Sequence, residues 1–166
     1  SWRNPSSEDR DLGMHDYIQM GVLDAIKAVQ SVSTSRHVHA MGYCLGGTFL
    51  SIAAAVLGRQ KNKSPLASVT LLAAQTDFSE PGELGVFIDD DQLLTLREEM
   101  AKTGYLSGRQ MAGSFQFLNS RDLIWSRNTQ RYLLGREEVG NDMVSWNKDT
   151  TRLPARMHTE YLDSLF

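Results

Sequence analysis

Cys44 is the residue whose type and surroundings point most directly to chemistry. It is the single cysteine of the chain and stands at the centre of a glycine-rich stretch, GYCLG, residues 42–46. That spacing matches the G-x-S-x-G pattern of a nucleophile elbow, with Cys in place of Ser. The turn of such an elbow is so sharp that we expect Gly42 and Gly46 both to be required for their lack of a Cβ. The sequence therefore predicts a thiol nucleophile at the apex of a strand–turn–helix unit.

The helix after the turn should prepare this site electrostatically. A helix N-terminus carries unpaired N–H groups and a partial positive charge, which favour a thiolate and a developing oxyanion. In nucleophile elbows the backbone N–H of the residue after the nucleophile serves the oxyanion hole, so Leu45 is the expected donor. The alternative is that Cys44 is a small buried hydrophobic residue, as free cysteines usually are.

A cysteine nucleophile usually works with a base, most often a histidine. The chain has four histidines: His15, His37, His39 and His158. In the order nucleophile, acid, histidine, only His158 follows Cys44, but it lies in an amphipathic pattern and not after a strand, so we favour a surface or packing role. His37 and His39 begin a strand pattern and are interpreted as edge or solvent residues, with a metal site as the alternative.

Acidic and basic residues offer further alternatives. Asp77 follows a strand pattern and could act as a triad acid, although a strand-end or hinge role is favoured. The run Asp89–Asp91 could bind a hard cation, but it precedes an apolar periodic segment and is typical of a helix start. Four arginines could meet phosphates of a charged substrate, or could form a solvated helix face, which we favour. They are Arg121, Arg127, Arg131 and Arg136.

The elements that would position Cys44 follow from the apolar spacing. Apolar residues recur with helical spacing over 14–29, and a short, partly alternating segment over 36–43 predicts a strand. A helix rich in small residues follows over 48–57, and the continuous apolar run 67–74 is typical of a buried parallel strand. Strand, helix and strand in this order predict an α/β fold with a doubly wound, mostly parallel sheet.

The pattern of apolar residues changes after residue 77. Helical patterns follow the acidic run, recur over 122–134 and begin again at Pro154, and no parallel-strand pattern returns after Ala74. We therefore predict an α/β core with the elbow over residues 1–77 and a mostly helical cap over 78–166.

Bulk composition excludes several classes of protein. The 166 residues are 41% hydrophobic and 22% charged, which are values of an ordinary globular domain. A net charge of −3 argues against a nucleic-acid surface, and no apolar run approaches the roughly 20 residues of a membrane span. One cysteine forms no internal disulfide, so the cytoplasm is the expected compartment. Because the chain begins with Ser, not Met, we expect a piece of a longer protein.

Four stretches, taken together, resemble the central part of the catalytic domain of polyhydroxyalkanoate synthases, the bacterial poly(3-hydroxyalkanoate) polymerases. They are SWRNP at 1–5, GYCLGGT at 42–48, NSRDLIW at 119–125 and WNKDTTRLP at 146–154. The sequence departs from the family pattern at Ser120, Ser126 and Arg127, in the predicted cap. The departures leave the acyl chain length undecided.

The resemblance implies a partial α/β-hydrolase fold and an acyltransferase that polymerises (R)-3-hydroxyacyl-CoA. Cys44 would carry the acyl group as a thioester, with Leu45 N–H as oxyanion donor and CoA as the leaving group. The resemblance places the catalytic Asp and His beyond residue 166 and the second oxyanion donor before residue 1, so we expect the isolated chain to be inactive.

The resemblance also implies partners. No metal or cofactor is expected, apart from the CoA that the substrate carries. The resemblance implies a homodimer through the cap, a polyester product and contact with granule-associated proteins at the granule surface. The alternatives left open are a hydrolase or thioesterase with a Cys nucleophile and a non-enzymatic interaction piece.

Overall fold

The computed structural model describes residues 2–60, 64–82, 85, 88–108, 125–135, 142, 145 and 151–166. The chain forms two compact units. The first comprises Ser1–Asp11 and Gly82–Thr159, and the second Leu12–Pro81 and Glu160–Phe166. The division into core and cap at residue 77 stays a prediction.

The second unit begins with the helix expected over 14–29. It starts as α1, Met14–Asp16, continues through a π-helical segment, Tyr17–Leu23, and ends as α2, Asp24–Val32. Ile26 is the buried residue of α2. The helical spacing of the apolar residues thus identified this element, and the structure extends it by three residues at its C-terminal end.

A parallel pair of strands forms the sheet of the second unit. β1, Val38–Tyr43, pairs with β2, Leu66–Leu72, with a register shift between Val38 and His39. The parallel pairing and the α/β class are confirmed. The expected burial of β2 is wrong, because most of this strand is exposed. Within the described residues its sheet has only two strands, so β2 is an edge strand with β1 on one side only.

Helix α3, Leu45–Arg59, connects the two strands and supplies the core beneath them. Its buried face includes Phe49, Leu50 and Ala53, and the Phe49 ring lies 6.1 Å from the ring of Tyr17. The helix begins three residues earlier than the sequence predicted. Cys44 therefore directly precedes its first residue.

The first unit is built around α4, Asp90–Thr103. The helix ends at Gly104, which has a φ of 85° and whose N–H donates to the carbonyl oxygen of Met100 over 2.7 Å. The chain then forms β3, Tyr105–Leu106, antiparallel to β4, Leu153–Pro154. The sequence analysis did not predict this short pair.

Two further α-helices lie in the described part of the chain. α5, Ser126–Asn128, continues as a π-helical segment, Thr129–Leu133, and agrees with the C-terminal part of the helix predicted over 122–134. α6, Ala155–Leu165, follows β4. Among the described residues, no helix is both long and apolar enough to cross a membrane. Of the four stretches that carry the family resemblance, residues 1, 119–124 and 146–150 lie outside the described residues.

Candidate active site

Cys44 stands between the last residue of β1 and the first residue of α3. Its backbone has φ 52° and ψ −129°, a conformation that costs a side-chain-bearing residue of order 1–3 kcal/mol and persists only where the surroundings hold it. The side chain is exposed, so the interpretation of Cys44 as a buried hydrophobic residue is wrong. A strained residue with an exposed thiol at a helix N-terminus is the geometry that a nucleophile elbow requires.

Hydrogen bonds on both sides hold the backbone of Cys44 in this conformation. Its N–H donates to the carbonyl oxygen of Leu72 at the end of β2, over 3.0 Å. Its own carbonyl oxygen accepts from the N–H groups of Gly47 and Thr48, at 2.9 and 3.3 Å. The sheet and the helix thus each contribute bonds, and together they offset the strain at the apex.

Thr48 joins the start of α3 to the segment that follows β2. Its side chain is buried, with 4% of the residue exposed, and its hydroxyl donates to the carbonyl oxygen of Gln75 over 2.8 Å. Ala73, directly after β2, has a φ of 46°. The turn after β2 therefore stays close to the elbow instead of leading away from it.

The close approach of strand and helix depends on Gly42 and Gly47. A Cβ on Gly42 would lie 2.5 Å from the Cα of Gly47, and a Cβ on Gly47 would collide with the Cβ of Ala74. A Cβ on Gly46 would meet nothing within 4 Å. The expectation that Gly46 must lack a Cβ is therefore wrong. The α3 backbone contacts β1 at Gly47, one residue after the glycine that the motif indicated.

Leu45 is the first residue of α3. The N–H groups at the start of a helix have no partner within the helix, because the carbonyls that would accept from them lie before it. The position thus provides a donor next to the sulfur, which is what the predicted oxyanion role needs. That role stays a prediction.

Two exposed histidines of the second unit, His37 and His39, take part in local hydrogen bonds. His39 Nδ1 lies 2.7 Å from the hydroxyl oxygen of Ser68, its neighbour on β2. The backbone N–H of His37 donates to the Ser35 hydroxyl over 3.2 Å. In the described part of the chain no three His, Cys, Asp or Glu residues converge in a way that would hold a metal ion.

His158 differs from the other histidines because it is buried. It lies on α6, in the first unit, whereas Cys44 belongs to the second. No described group forms a hydrogen bond with its Nδ1, and burial lowers the pKa of the imidazole to about 4. Because the ring is buried and uncharged at neutral pH, the structure agrees with a packing role. The surface alternative is wrong.

The acidic candidates make local capping bonds. One carboxylate oxygen of Asp77 accepts from the N–H and the hydroxyl of Ser79, at 3.0 and 2.7 Å, and these bonds lower the pKa of Asp77. Asp89 is the N-cap of α4 and accepts from the N–H of Gln92 over 2.9 Å. Both observations agree with the strand-end and helix-start interpretations.

Of the four arginines, Arg131 is the one whose side chain the structure describes. Arg131 lies on the described helix with its guanidinium 5.6 Å from the centre of the Tyr132 ring. Arg121, Arg136 and the side chain of Arg127 lie outside the described residues. The substrate-phosphate role stays an untested alternative.

Sequence reasoning missed an aromatic cluster in the second unit, formed by Phe78, Tyr161 and Phe166. The ring centres of Phe78 and Phe166 are 4.9 Å apart, and those of Tyr161 and Phe166 are 5.5 Å apart. Burial, and secondly the charge of Cys44, raise the pKa of Tyr161. The three positions are too far apart in the chain for any periodic pattern to have linked them.

Nearly the whole chain is similar to known proteins. A family model described as alpha/beta hydrolase fold matches residues 1–165. The chain is 37% identical over 166 residues to a poly(3-hydroxyalkanoate) polymerase of Methylorubrum extorquens, covering 100% of this chain and 27% of that protein. A poly(3-hydroxyalkanoate) polymerase subunit PhaC of Cupriavidus necator is 36% identical, with 98% of this chain and 28% of the relative covered. The chain thus spans about a quarter of the length of these relatives.

Proposed function

The chain belongs to the alpha/beta hydrolase fold family, and we propose that it is part of an acyltransferase that polymerises (R)-3-hydroxyacyl-CoA into polyhydroxyalkanoate. The observation that carries the proposal is the strained, exposed Cys44 at the N-terminus of α3. The names of the similar polymerases support the choice of reaction.

The first step is the transfer of the acyl group to Cys44. The thiolate attacks the carbonyl carbon of the CoA thioester, and the negative charge that develops on the carbonyl oxygen meets the N–H of Leu45. The bond between the acyl carbon and the CoA sulfur then breaks, and CoA leaves as a thiol after taking up a proton. One thioester replaces another, so this step is nearly balanced in free energy.

The second step makes the ester bond. The 3-hydroxyl of one acyl unit attacks the thioester of another, its proton passes to a base, and the sulfur leaves. An oxyester replaces a thioester, which makes the step favourable. A thiol suits this cycle because it accepts and releases the acyl group readily. The base is proposed to come from residues of the natural protein outside this chain.

The remaining features of the proposal concern cofactors and partners. The reaction needs no cofactor, because the substrate itself carries CoA. We further propose a homodimer formed through the helical cap, and action in the cytoplasm at the surface of polyester granules, together with granule-associated proteins.

The proposal is tested by replacing Cys44 with Ala in the natural full-length protein. We expect CoA release from 3-hydroxybutyryl-CoA to fall on the order of 10³-fold or more, because the group that carries the acyl chain is gone. Labelling of the protein by radioactive substrate should be lost as well. Replacing the exposed His39 with Asn is the matched control and should leave both readouts near the wild-type level. Polymer formed by the Cys44→Ala protein would contradict the proposal.

A hydrolase or thioesterase is the second candidate, and the exposure of Cys44 favours it. An acyl thioester that water can reach is open to hydrolysis. The product of the same assay separates the two reactions: insoluble polyester is expected from the polymerase, whereas free 3-hydroxybutyrate without polymer would identify a hydrolase.

A further inference from the structure

The aromatic cluster of Phe78, Tyr161 and Phe166 is the strongest feature of the second unit that the proposed reaction leaves unexplained. Tyr161 stands edge-on to both phenylalanines, with an interplanar angle of 87° to Phe78 and 80° to Phe166. Edge-to-face pairs of this kind stabilise a structure beyond the area they bury. The two phenylalanine rings therefore fix the orientation of the tyrosine ring.

Two observations place this cluster at the same edge of the sheet as Cys44. The carboxyl ends of parallel strands lie together, and Cys44 follows β1 whereas Phe78 lies in the segment that follows β2. The Thr48 hydroxyl also ties that segment to the start of α3 through the carbonyl oxygen of Gln75, over 2.8 Å.

The electrostatics of Tyr161 agree with this placement. Burial raises the pKa of its phenol first, and the negative charge of Cys44 raises it further. The phenol stays protonated at neutral pH and keeps an O–H group to donate.

We propose that the hydroxyl of Tyr161 binds the 3-hydroxyl of the acyl unit carried on Cys44. The inference rests on the proposed function. The acyl unit has two polar atoms near the sulfur, the carbonyl oxygen and the 3-hydroxyl oxygen. The carbonyl oxygen is assigned to the N–H of Leu45, so the 3-hydroxyl is the group left for the phenol. The rings of Phe78 and Phe166 offer an apolar surface to the hydrocarbon part of the same unit.

This role makes Tyr161 a specificity-determining residue. A site that hydrogen-bonds a substrate hydroxyl rejects the analogue that lacks it, because the polar group of the site is then left unpaired. The natural protein should therefore prefer 3-hydroxybutyryl-CoA to butyryl-CoA in the acylation of Cys44. The preference should depend on the phenol oxygen and not on the ring.

The test compares Tyr161→Phe with the wild type in the natural full-length protein. Acylation of Cys44 by each thioester is followed by intact-protein mass spectrometry, with protein in excess over thioester so that one turnover is observed. We expect the ratio of the two rates to fall about tenfold or more in Tyr161→Phe, mainly through slower acylation by the hydroxylated substrate. Phenylalanine keeps the ring contacts, so the cluster should stay intact. Tyr132→Phe, at an exposed tyrosine, is the matched control and should keep the wild-type ratio.

The outcomes separate this inference from the proposed function. The contact with the 3-hydroxyl is supported if the rate with 3-hydroxybutyryl-CoA, divided by the rate with butyryl-CoA, falls in Tyr161→Phe and does not fall in Tyr132→Phe. An unchanged ratio, including equal slowing with both thioesters, overturns it while the polymerase assignment stands. Failure of both thioesters to acylate Cys44 in the wild-type protein overturns the proposed function itself, and the role of Tyr161 with it.

Discussion

At the scale of single residues, His158 has surroundings that are unfavourable for a charge. It is buried on α6 beside Met157, and its Nδ1 has no hydrogen-bond partner among the described residues. Burial lowers the pKa of the imidazole from 6.5 to about 4, because the interior cannot replace the water around a charged ring. Protonation of this one residue therefore opposes folding.

This effect predicts a specific pH dependence of stability. Well above pH 6.5 the imidazole is neutral in both the folded and the unfolded state, and His158 contributes no slope. As the pH falls from 6.5 towards about 4, the unfolded chain takes up a proton that the folded chain refuses, and the free energy of unfolding falls by up to about 1.4 kcal/mol per pH unit. Urea unfolding between pH 7.5 and 4.5 measures this slope.

The variant His158→Leu should unfold with a shallower pH dependence over that range, because the titrating group is gone. His15→Gln, at an exposed histidine, should retain the wild-type slope. Equal slopes in the wild type and in His158→Leu would show that other groups account for the acid sensitivity.

At the scale of elements, the contact between β1 and α3 is decided by two glycines. Gly42 on the strand and Gly47 on the helix lie so close that a Cβ on Gly42 would come within 2.5 Å of the Cα of Gly47. The collision would be with backbone, which cannot rotate away as a flexible side chain does. The angle at which the helix leaves the strand, and with it the position of Cys44, depends on this approach.

We therefore expect Gly42→Ala and Gly46→Ala to act in opposite ways. Gly42→Ala should lower the free energy of unfolding by about 2–3 kcal/mol, because strand and helix must move apart. Gly46→Ala should cost nothing and should raise stability by up to about 1 kcal/mol, because alanine is the better helix former and the site is open. Chemical denaturation of the two variants measures both changes, and equal destabilisation would contradict the packing described for the elbow.

At the scale of the whole molecule, the end of α6 completes a unit that begins near the start of the chain. A carboxylate oxygen of Glu160 accepts from the N–H of Met14 over 2.8 Å, across 146 positions of sequence. Met14 opens α1, so the bond caps a helix N-terminus with a negative charge. Residues 160–166 also bring Tyr161 and Phe166 to Phe78.

Glu160→Ala is expected to lower the free energy of unfolding by about 1.5–3 kcal/mol, the usual range for a hydrogen bond to a charged group. Glu160→Gln keeps a side-chain oxygen that can accept from the Met14 N–H. It should therefore lower the free energy of unfolding less than Glu160→Ala does. Urea unfolding at constant pH compares them. Stability that is unchanged in Glu160→Ala would mean that the bond does not hold the chain segments together.

The sequence by itself determined the central feature of the site. Local spacing sufficed for the strand, turn and helix around Cys44 and for the parallel partner strand, because the elements are adjacent in the chain and each has its own periodic pattern. The beginnings of the helices near Asp89 and Met14 were predicted for the same reason, because each depends on residues that are adjacent in the chain. The motif assigned the close contact to Gly46, whereas the structure assigns it to Gly47. Motif spacing shows where glycines occur and not which atoms they contact.

Only the tertiary structure decided which distant residues meet. The aromatic cluster joins positions 78, 161 and 166, and the cap of α1 comes from Glu160. Burial of His158, exposure of β2 and the requirement for Gly47 likewise depend on what other segments cover or touch. Contacts of this kind arise from packing between elements, and no one-dimensional pattern encodes them. Cys44 could therefore be identified from the sequence, whereas Tyr161 could be identified only from the fold.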